Sequence, residues 1–156
     1  MNTTETNFTD AQVQCLAALV EMIIPASEDY GVPGAGDGII FADILSTTAP
    51  QHEAVAAALS ALNAVAEATG GQNFATISAA GGDGENIAAS FRDQHPKAAE
   101  LLATITVQWY YRDDRVMRAL NMEVRPPFPD GFTVDQGDWT LLDPVRNRPE
   151  LYRKTE

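Results

Sequence analysis

An alanine-rich stretch, residues 54–68, constrains the fold of this chain more than any other feature. Eight of its fifteen residues are Ala, the residue with the highest intrinsic helix propensity. Its larger apolar residues recur every three or four positions, at Val55, Leu59, Leu62 and Val65. This spacing places them on one face of a helix. We predict a long helix that begins at the capping signal of residues 48–51 (Thr-Ala-Pro-Gln), ends at Gly70-Gly71 and buries that face.

The first predicted helix begins with a capping box. Thr9 can accept the backbone N–H of Gln12 while the Gln12 side chain binds back to the backbone of Thr9. Phe8, just before the cap, can pack onto Val13 as a hydrophobic staple. Apolar residues at helical spacing then follow up to Pro25, which ends the helix because its ring clashes with the preceding turn.

Further helical segments, bounded by Gly, Pro or a capping residue, follow along the chain. We predict them at residues 39–45 (short and buried), 73–80, 83–95, 96–111 and in the residues that Asp113 caps. The sequence therefore predicts an all-α fold, a small bundle of about five to six helices. We place this bundle at residues 1–121 of a single domain that spans 1–156.

Residues 122–156 have a different character. Proline and glycine interrupt this segment repeatedly, and its apolar residues show neither helical nor alternating periodicity. Structureless segments longer than about 15 residues are uncommon inside compact domains and are usually functional or partner-bound. We therefore predict an extended C-terminal arm, residues 122–156, whose apolar side chains pack on the bundle, on a partner chain, or on both.

The charge of −12 is unevenly distributed. The first 91 residues contain eleven acidic residues and neither Lys nor Arg, whereas the remainder contains eleven acids and ten bases. Nucleic-acid binding needs a basic surface to neutralise phosphates, so this composition argues against it, and against binding to an anionic membrane. Since no uncharged apolar run approaches the roughly 20 residues that cross a bilayer, we expect no membrane insertion either.

Residue types that carry catalysis or bind metals are sparse. Cys15 is the only cysteine, so neither an intrachain disulfide nor a thiolate cluster for zinc can form, and its place on an apolar helix stripe favours burial. His52 and His95 lie near predicted helix ends, and no Glu-x-x-His pair is present for a carboxylate-bridged metal site. The glycine-rich loop at 31–38 follows a helix rather than the strand of a dinucleotide-binding unit. We predict no catalytic, metal-binding or cofactor-binding residue in this chain.

Three consecutive aromatic residues, Trp109-Tyr110-Tyr111, end the last long helix. Consecutive helix positions point about 100° apart, so the three rings cannot all face one core. We expect at least one of them to face solvent, the arm or a partner. Arg112 and two further arginines follow closely and can pair with acidic side chains of the arm or of another subunit.

Several segments together resemble one protein family. An N-terminal helix ends in Ile-Ile-Pro-Ala at residues 23–26, before an acidic, glycine-rich loop. Residues 109–116 read Trp-Tyr-Tyr-Arg-Asp-Asp-Arg-Val, followed by Arg-Pro-Pro-Phe-Pro-Asp-Gly at 125–131 and Gly-Asp-Trp-Thr-Leu-Leu-Asp-Pro-Val at 137–145. These segments resemble the gluconate 2-dehydrogenase subunit 3 family. The resemblance implies a small helical chain that wraps and stabilises a large catalytic subunit of the glucose-methanol-choline oxidoreductase type.

The resemblance also implies where the chemistry lies. The large flavoprotein subunit holds the FAD and oxidises a sugar, a sugar acid or a related alcohol, and electrons pass to a cytochrome or another acceptor. No catalytic residue is implied for this chain. We assign the following residues to the partner interface: Trp109, Tyr110, Tyr111, Arg112, Arg125, Pro127, Phe128, Pro129, Gly131, Trp139, Arg146 and Tyr152.

The chain departs from the family pattern in two places. Many members begin with a twin-arginine export signal, which this sequence lacks, so we expect a cytoplasmic complex. The alternative is a periplasmic complex whose signal is carried by the partner or has been trimmed from this sequence. Asn121 stands where the family has a helix-ending Gly, and Asn tolerates the left-handed conformation that such a position needs.

The leading hypothesis from the sequence is a non-catalytic small subunit that assembles with a large FAD-dependent dehydrogenase. Two alternatives stay open at this point. One is a stand-alone small-molecule-binding or redox enzyme with a pocket near Trp109 and Tyr110. The other is a homodimer in which the arm swaps between copies.

Overall fold

The computed structural model of the chain describes residues 8–124, 131 and 137–149. Most of these residues are helical, and β pairing within them is limited to an isolated antiparallel bridge between Ser27 and Val32. The all-α fold is confirmed. The helices are α1 (Asp10–Ile23), α2 (Gly38–Thr47), α3 (His52–Gly70), α4 (Phe74–Ala79), α5 (Gly84–Gln94), α6 (Pro96–Tyr110), α7 (Asp114–Ala119) and α8 (Asp143–Arg146). The chain divides into two compact units, Met1–Val124 and Arg125–Glu156.

The alanine-rich helix α3 lies at the centre of the first unit, where it packs against α1, α4, α5 and α6. Val55, Leu59 and Leu62 on its apolar face are completely buried, as the spacing predicted. Burial of each such side chain contributes about 1.5–3 kcal/mol relative to exposure. Ala58 and Ala66 are buried as well, and their small side chains leave room for neighbouring helices to approach.

The predicted start of α3 at Thr48 was wrong. Thr48 is the C-cap of α2, and its hydroxyl donates back to the carbonyl of Leu45 at 2.8 Å. A short 3₁₀ turn, Ala49–Gln51, comes next, and α3 begins only at His52 without a side-chain cap. The local capping pattern misled because a Thr hydroxyl can either accept a backbone N–H of the helix that follows or donate to a backbone carbonyl of the helix that precedes, and the Thr48 hydroxyl donates to the preceding helix.

The other helix boundaries in this unit follow the punctuation of the sequence. The capping box of α1 is present, with the Thr9 N–H donating to Gln12 Oε1 at 2.9 Å and the Gln12 N–H donating to Thr9 Oγ at 3.3 Å. Pro96 occupies the first turn of α6, as expected. Helix α2 is amphipathic rather than buried all round, because Ile40 is covered while Ile39 is 62% exposed.

The second unit contains a short helical piece where the sequence predicted only extended chain. Asp138 accepts the N–H of Thr140 at 2.9 Å and so caps a 3₁₀ turn, Trp139–Leu142, which leads directly into α8. The sequence did not predict this piece, because eight residues are too few to establish a hydrophobic period. Pro144 was interpreted as a helix breaker, but it occupies the first turn of α8.

Candidate partner interface at the α6–α7 corner

Helices α6 and α7 meet at a tight corner, and α7 is capped at both of its ends. Asp113 Oδ1 accepts the N–H of Arg115 at 2.8 Å, so Asp113 caps the start of α7 as the sequence predicted. At the other end Asn121 has φ +57°, and the N–H of Met122 donates to the carbonyl of Met117 at 2.9 Å. This is the Schellman pattern in which Gly usually occupies the left-handed position, and it confirms that Asn121 can replace that Gly.

Tyr110 fixes a distant loop to this corner. Its side chain is only 4% exposed, and its hydroxyl donates to the carbonyl of Pro33 at 3.0 Å. Burial is the main reason that the pKa of Tyr110 is raised, and the neighbouring Tyr111 and Asp113 raise it further. The phenol therefore stays protonated and remains a donor to the loop over the physiological pH range.

Arg115 ties together the starts of two helices. Its guanidinium lies 2.7 Å from Asp37 Oδ1 and 2.9 Å from Asp113 Oδ2, and these two carboxylates cap α2 and α7. The hydrogen bonds from Arg115 hold the pKa values of both carboxyls below their usual range, and the two anions raise the pKa of Arg115. The ion pairs therefore persist at neutral pH.

The glycine-rich loop between α1 and α2 wraps around Glu21. The N–H of Gly36 donates to Glu21 Oε2 at 3.1 Å, and a Cβ at Gly34 or at Gly36 would lie 2.7 Å or 2.5 Å from that same oxygen. These two positions therefore need Gly because the carboxylate approaches the backbone closely. The loop therefore packs around a carboxylate of this chain.

An apolar groove lies between this loop and α7. Its volume is about 250 Å³. It is lined by Ile24, Pro25, Ser27, Tyr30, Val32, Tyr110, Tyr111, Val116, Ala119 and Leu120. Val116 is buried and forms part of the base, whereas Tyr30, Tyr111 and Leu120 are 77%, 49% and 48% exposed. Large apolar side chains that stay this exposed next to one another mark a surface that can bind a partner.

Comparison with known families gives one match, which covers residues 10–120 with the model described as gluconate 2-dehydrogenase subunit 3. The chain belongs to the gluconate 2-dehydrogenase subunit 3 family. The match includes α1 to α7 and the loop attached to Tyr110, and it ends one residue before the cap at Asn121. No curated protein and no solved structure matches the chain.

In this member of the subunit 3 family, four of the predicted interface residues lie together at the corner. Arg112 stacks over the Trp109 ring at 4.2 Å, and the Tyr111 ring meets Tyr110 edge to face at 5.1 Å. Tyr111 is the exposed member of the aromatic trio, so the expectation that at least one ring leaves the core is confirmed. Tyr110 is the core residue and supports the corner through Pro33. The assignment of the four residues to a partner interface stays a prediction.

The remaining predicted interface residues belong to the second unit. Gly131 adopts φ +66°, and Trp139 is 61% exposed. The guanidinium of Arg146 lies 3.5 Å from Asp143 Oδ1. The other five residues are outside the part of the chain that the structure describes: Arg125, Pro127, Phe128, Pro129 and Tyr152. Their assignment to the interface stays a prediction as well.

The cysteine and the two histidines that were considered for catalysis pack against side chains of this chain. Burial raises the pKa of Cys15 to about 12, as expected for a thiol in the core. The imidazole of His52 packs 4.4 Å from the ring of Phe8, and that of His95 lies 5.7 Å from the ring of Phe91. Within residues 8–124, 131 and 137–149, no three His, Cys, Asp or Glu side chains are placed to hold a metal ion, and no helix is long and apolar enough to cross a membrane.

We expect the ion pairs of Arg115 with Asp37 and Asp113 to stabilise the fold at neutral pH and to lose this effect in acid. Replacing Arg115 with Met should lower the free energy of unfolding at pH 7 by about 1 kcal/mol, because the pairs are partly exposed. Folding lowers the pKa of these carboxyls from an ordinary value of 3.8. Their ionised form therefore stabilises the folded protein fully at pH values above 3.8, and this stabilisation is lost as the pH falls through the lowered pKa of the folded state. The difference between the two proteins should therefore shrink below pH 3.8.

Urea unfolding of both proteins, repeated at several pH values, measures this difference. Arg92→Met is the matched control, because Arg92 forms a long pair of 3.8 Å with Asp93 and both side chains are more than two-thirds exposed. It should change stability little at any pH. A difference between wild type and Arg115→Met that stays constant into acid would contradict the role of the ion pairs.

Proposed function

We propose that this chain is a non-catalytic small subunit that assembles with, and stabilises, a large FAD-dependent dehydrogenase of the glucose-methanol-choline type. The observation that carries the proposal is family membership over α1 to α7. The large subunit would hold the FAD, oxidise a sugar, a sugar acid or a related alcohol, and pass its electrons to a cytochrome or another acceptor. The cytoplasmic location expected from the sequence stays a prediction.

The α6–α7 corner supports an assembly role. Aromatic residues and Arg are enriched in protein interfaces and supply most of the residues whose truncation weakens binding strongly. The corner presents Tyr111 beside the Trp109–Arg112 stack, and its backbone is held by Asp113, Tyr110 and Arg115. A surface that is ordered before binding loses little conformational entropy when a partner covers it.

The glycine-rich loop before α2 lacks the features of a dinucleotide-binding loop, which supports the proposal that the partner holds the FAD. A dinucleotide-binding loop presents free backbone N–H groups to a pyrophosphate after a strand. Here the loop follows α1, and the N–H of Gly36 is bonded to Glu21. The groove beside Tyr110 keeps the alternative of small-molecule binding by this chain open to test.

The test is affinity purification of the tagged full chain from its source organism, with mass spectrometry and an absorbance spectrum of the eluate. We expect a large flavoprotein in a fixed molar ratio, the spectrum of oxidised flavin, and sugar or alcohol oxidation with an artificial acceptor. Recovery of the chain alone would contradict the proposal. Its mass would then distinguish a homodimer, and ligand or turnover assays on it would test the stand-alone enzyme.

Tyr111→Ala tests the corner within the same experiment. Removal of an exposed interface tyrosine should reduce recovery of the flavoprotein by about tenfold, since such residues contribute 1 kcal/mol or more to binding. Ile39→Ala is the control, because Ile39 is also largely exposed and does not line the groove. Equal recovery with both variants would remove the corner from the interface without affecting the proposed assembly.

A further inference from the structure

Residues 27–32 form a small hairpin that holds Tyr30 away from the body of the first unit. Ser27 and Val32 exchange two backbone hydrogen bonds, of 3.0 and 3.1 Å, and the N–H of Gly31 donates to the carbonyl of Glu28 at 3.1 Å. Gly31 has φ +61°, which this turn requires and which Gly adopts readily. Tyr30 lies in the turn with 77% of its surface exposed. Its position is therefore set by the backbone of the hairpin.

The hairpin is also anchored at its base. Tyr110 binds the carbonyl of Pro33, and the N–H of Ala35 donates to the carbonyl of Ile24 at 2.8 Å. One wall of the apolar groove is therefore fixed relative to the other, which consists of Val116, Ala119 and Leu120. A groove that is fixed in this way can bind a side chain without first ordering its own walls.

The hairpin side of the groove is negatively charged. Glu28 and Asp29, next to Tyr30 in the turn, are exposed, and neither forms an ion pair with another residue that the structure describes. The first 91 residues contain no Lys or Arg that could neutralise them. Across the groove, Arg115 forms ion pairs with Asp37 and Asp113. The guanidinium of Arg118 is paired with Asp114 Oδ2 at 3.1 Å. The uncompensated charge on the hairpin side of the groove is therefore anionic.

We propose that this groove binds a segment of the large subunit that inserts an apolar side chain between Tyr30 and Leu120 and places Lys or Arg against Glu28 and Asp29. The proposal rests on the assembly function proposed above and identifies which chemistry of the partner is recognised. Complementary charge at the edge of an apolar contact steers association and excludes wrong partners. A second copy of this chain that made the contact through its first 91 residues would bring like charges together, because those residues contain acids and no Lys or Arg.

Competition between two differently tagged copies of the full chain tests this proposal. Wild type and a variant are expressed together with the large flavoprotein subunit, the flavoprotein is purified, and the ratio of the two small chains bound to it is measured. Tyr30→Ala should be outcompeted by about 30-fold, as expected when an aromatic anchor of an interface is truncated. Tyr30→Phe should compete evenly, because it retains the ring that lines the groove.

Charge reversal tests the electrostatic half of the proposal. The double variant Glu28→Lys/Asp29→Lys should be outcompeted by about tenfold or more, because it places like charges at the contact. The double variant Glu53→Lys/Glu67→Lys is the matched control. It makes the same change in net charge on the exposed side of α3, and it should compete evenly. Thermal melts of each variant check that the fold is unchanged.

The outcomes separate this proposal from the assembly function. If wild type binds the flavoprotein and both hairpin variants compete evenly with it, the groove is not the contact and the assembly function stands. If wild type binds no flavoprotein, both proposals are wrong. If purified wild type sediments as a dimer that Tyr30→Ala dissociates, a second copy occupies the groove and the proposal is overturned.

Discussion

Replacing Tyr110 with Ala is expected to lower the free energy of unfolding by about 3–5 kcal/mol, which is the usual cost of truncating a buried aromatic side chain. The ring is almost completely buried and forms part of the core of the first unit. Truncation also removes the hydrogen bond that holds Pro33, so the hairpin and the groove should lose their support. Chemical unfolding followed by far-ultraviolet circular dichroism measures the change.

Tyr110→Phe separates the hydroxyl from the ring. It keeps the packing and removes only the hydrogen bond to Pro33, so it should cost about 0.5–1.5 kcal/mol. Both variants should also weaken capture of the flavoprotein, the Phe variant less than the Ala variant, because each loosens the attachment of the hairpin. A cost below 1 kcal/mol for Tyr110→Ala would show that the ring is not a core residue of the folded protein.

Replacing Phe74 with Ala should have an effect of the same size. Phe74 begins α4 and is fully buried, and its N–H donates to Asn63 Oδ1 of α3 at 3.1 Å. The substitution leaves a cavity that the surrounding helices can fill only in part, at a cost of about 3–5 kcal/mol. At this chain length the midpoint of thermal unfolding should fall by about 6–20 °C.

Two further variants serve as controls for Phe74. Phe74→Leu keeps most of the volume and should cost about 1.5 kcal/mol or less. Tyr30→Ala removes a similar amount of aromatic surface at an exposed position and should change stability by no more than about 0.5 kcal/mol. Equal losses for Phe74→Ala and Tyr30→Ala would contradict the burial pattern of the first unit.

The residues at helix ends explain why so much of the fold could be predicted. A capping box, an N-cap and a left-handed C-terminal residue act through backbone groups within five positions in the chain, so Thr9, Asp113 and Asn121 could be interpreted without knowledge of their tertiary neighbours. Thr48 shows the limit of such reasoning, because its hydroxyl could serve the helix on either side. The helical piece at Trp139–Arg146 shows another limit, since a single turn has no period.

The candidate site was only partly predictable, and the difference lies in sequence separation. The sequence singled out Trp109 to Arg112 because aromatic and basic residues adjoin there. It gave no indication that Arg115 meets Asp37 or that Tyr110 meets Pro33, pairs that are 78 and 77 residues apart. Tyr30 was missed because nothing in the local pattern distinguishes an exposed tyrosine in a turn from one that folds back onto the core.

The sequence alone therefore determined the all-α class, the position of the alanine-rich helix and most helix boundaries, because periodicity, propensity and capping act over a few neighbouring residues. The resemblance to the subunit 3 family could also be recognised from the sequence. Only the tertiary structure showed that Glu21 requires glycine at Gly34 and Gly36, and that Arg115 joins two helix starts. It also showed that a braced hairpin and α7 form one apolar groove. These contacts depend on how the helices pack, and packing brings together residues whose separation along the chain leaves no local pattern.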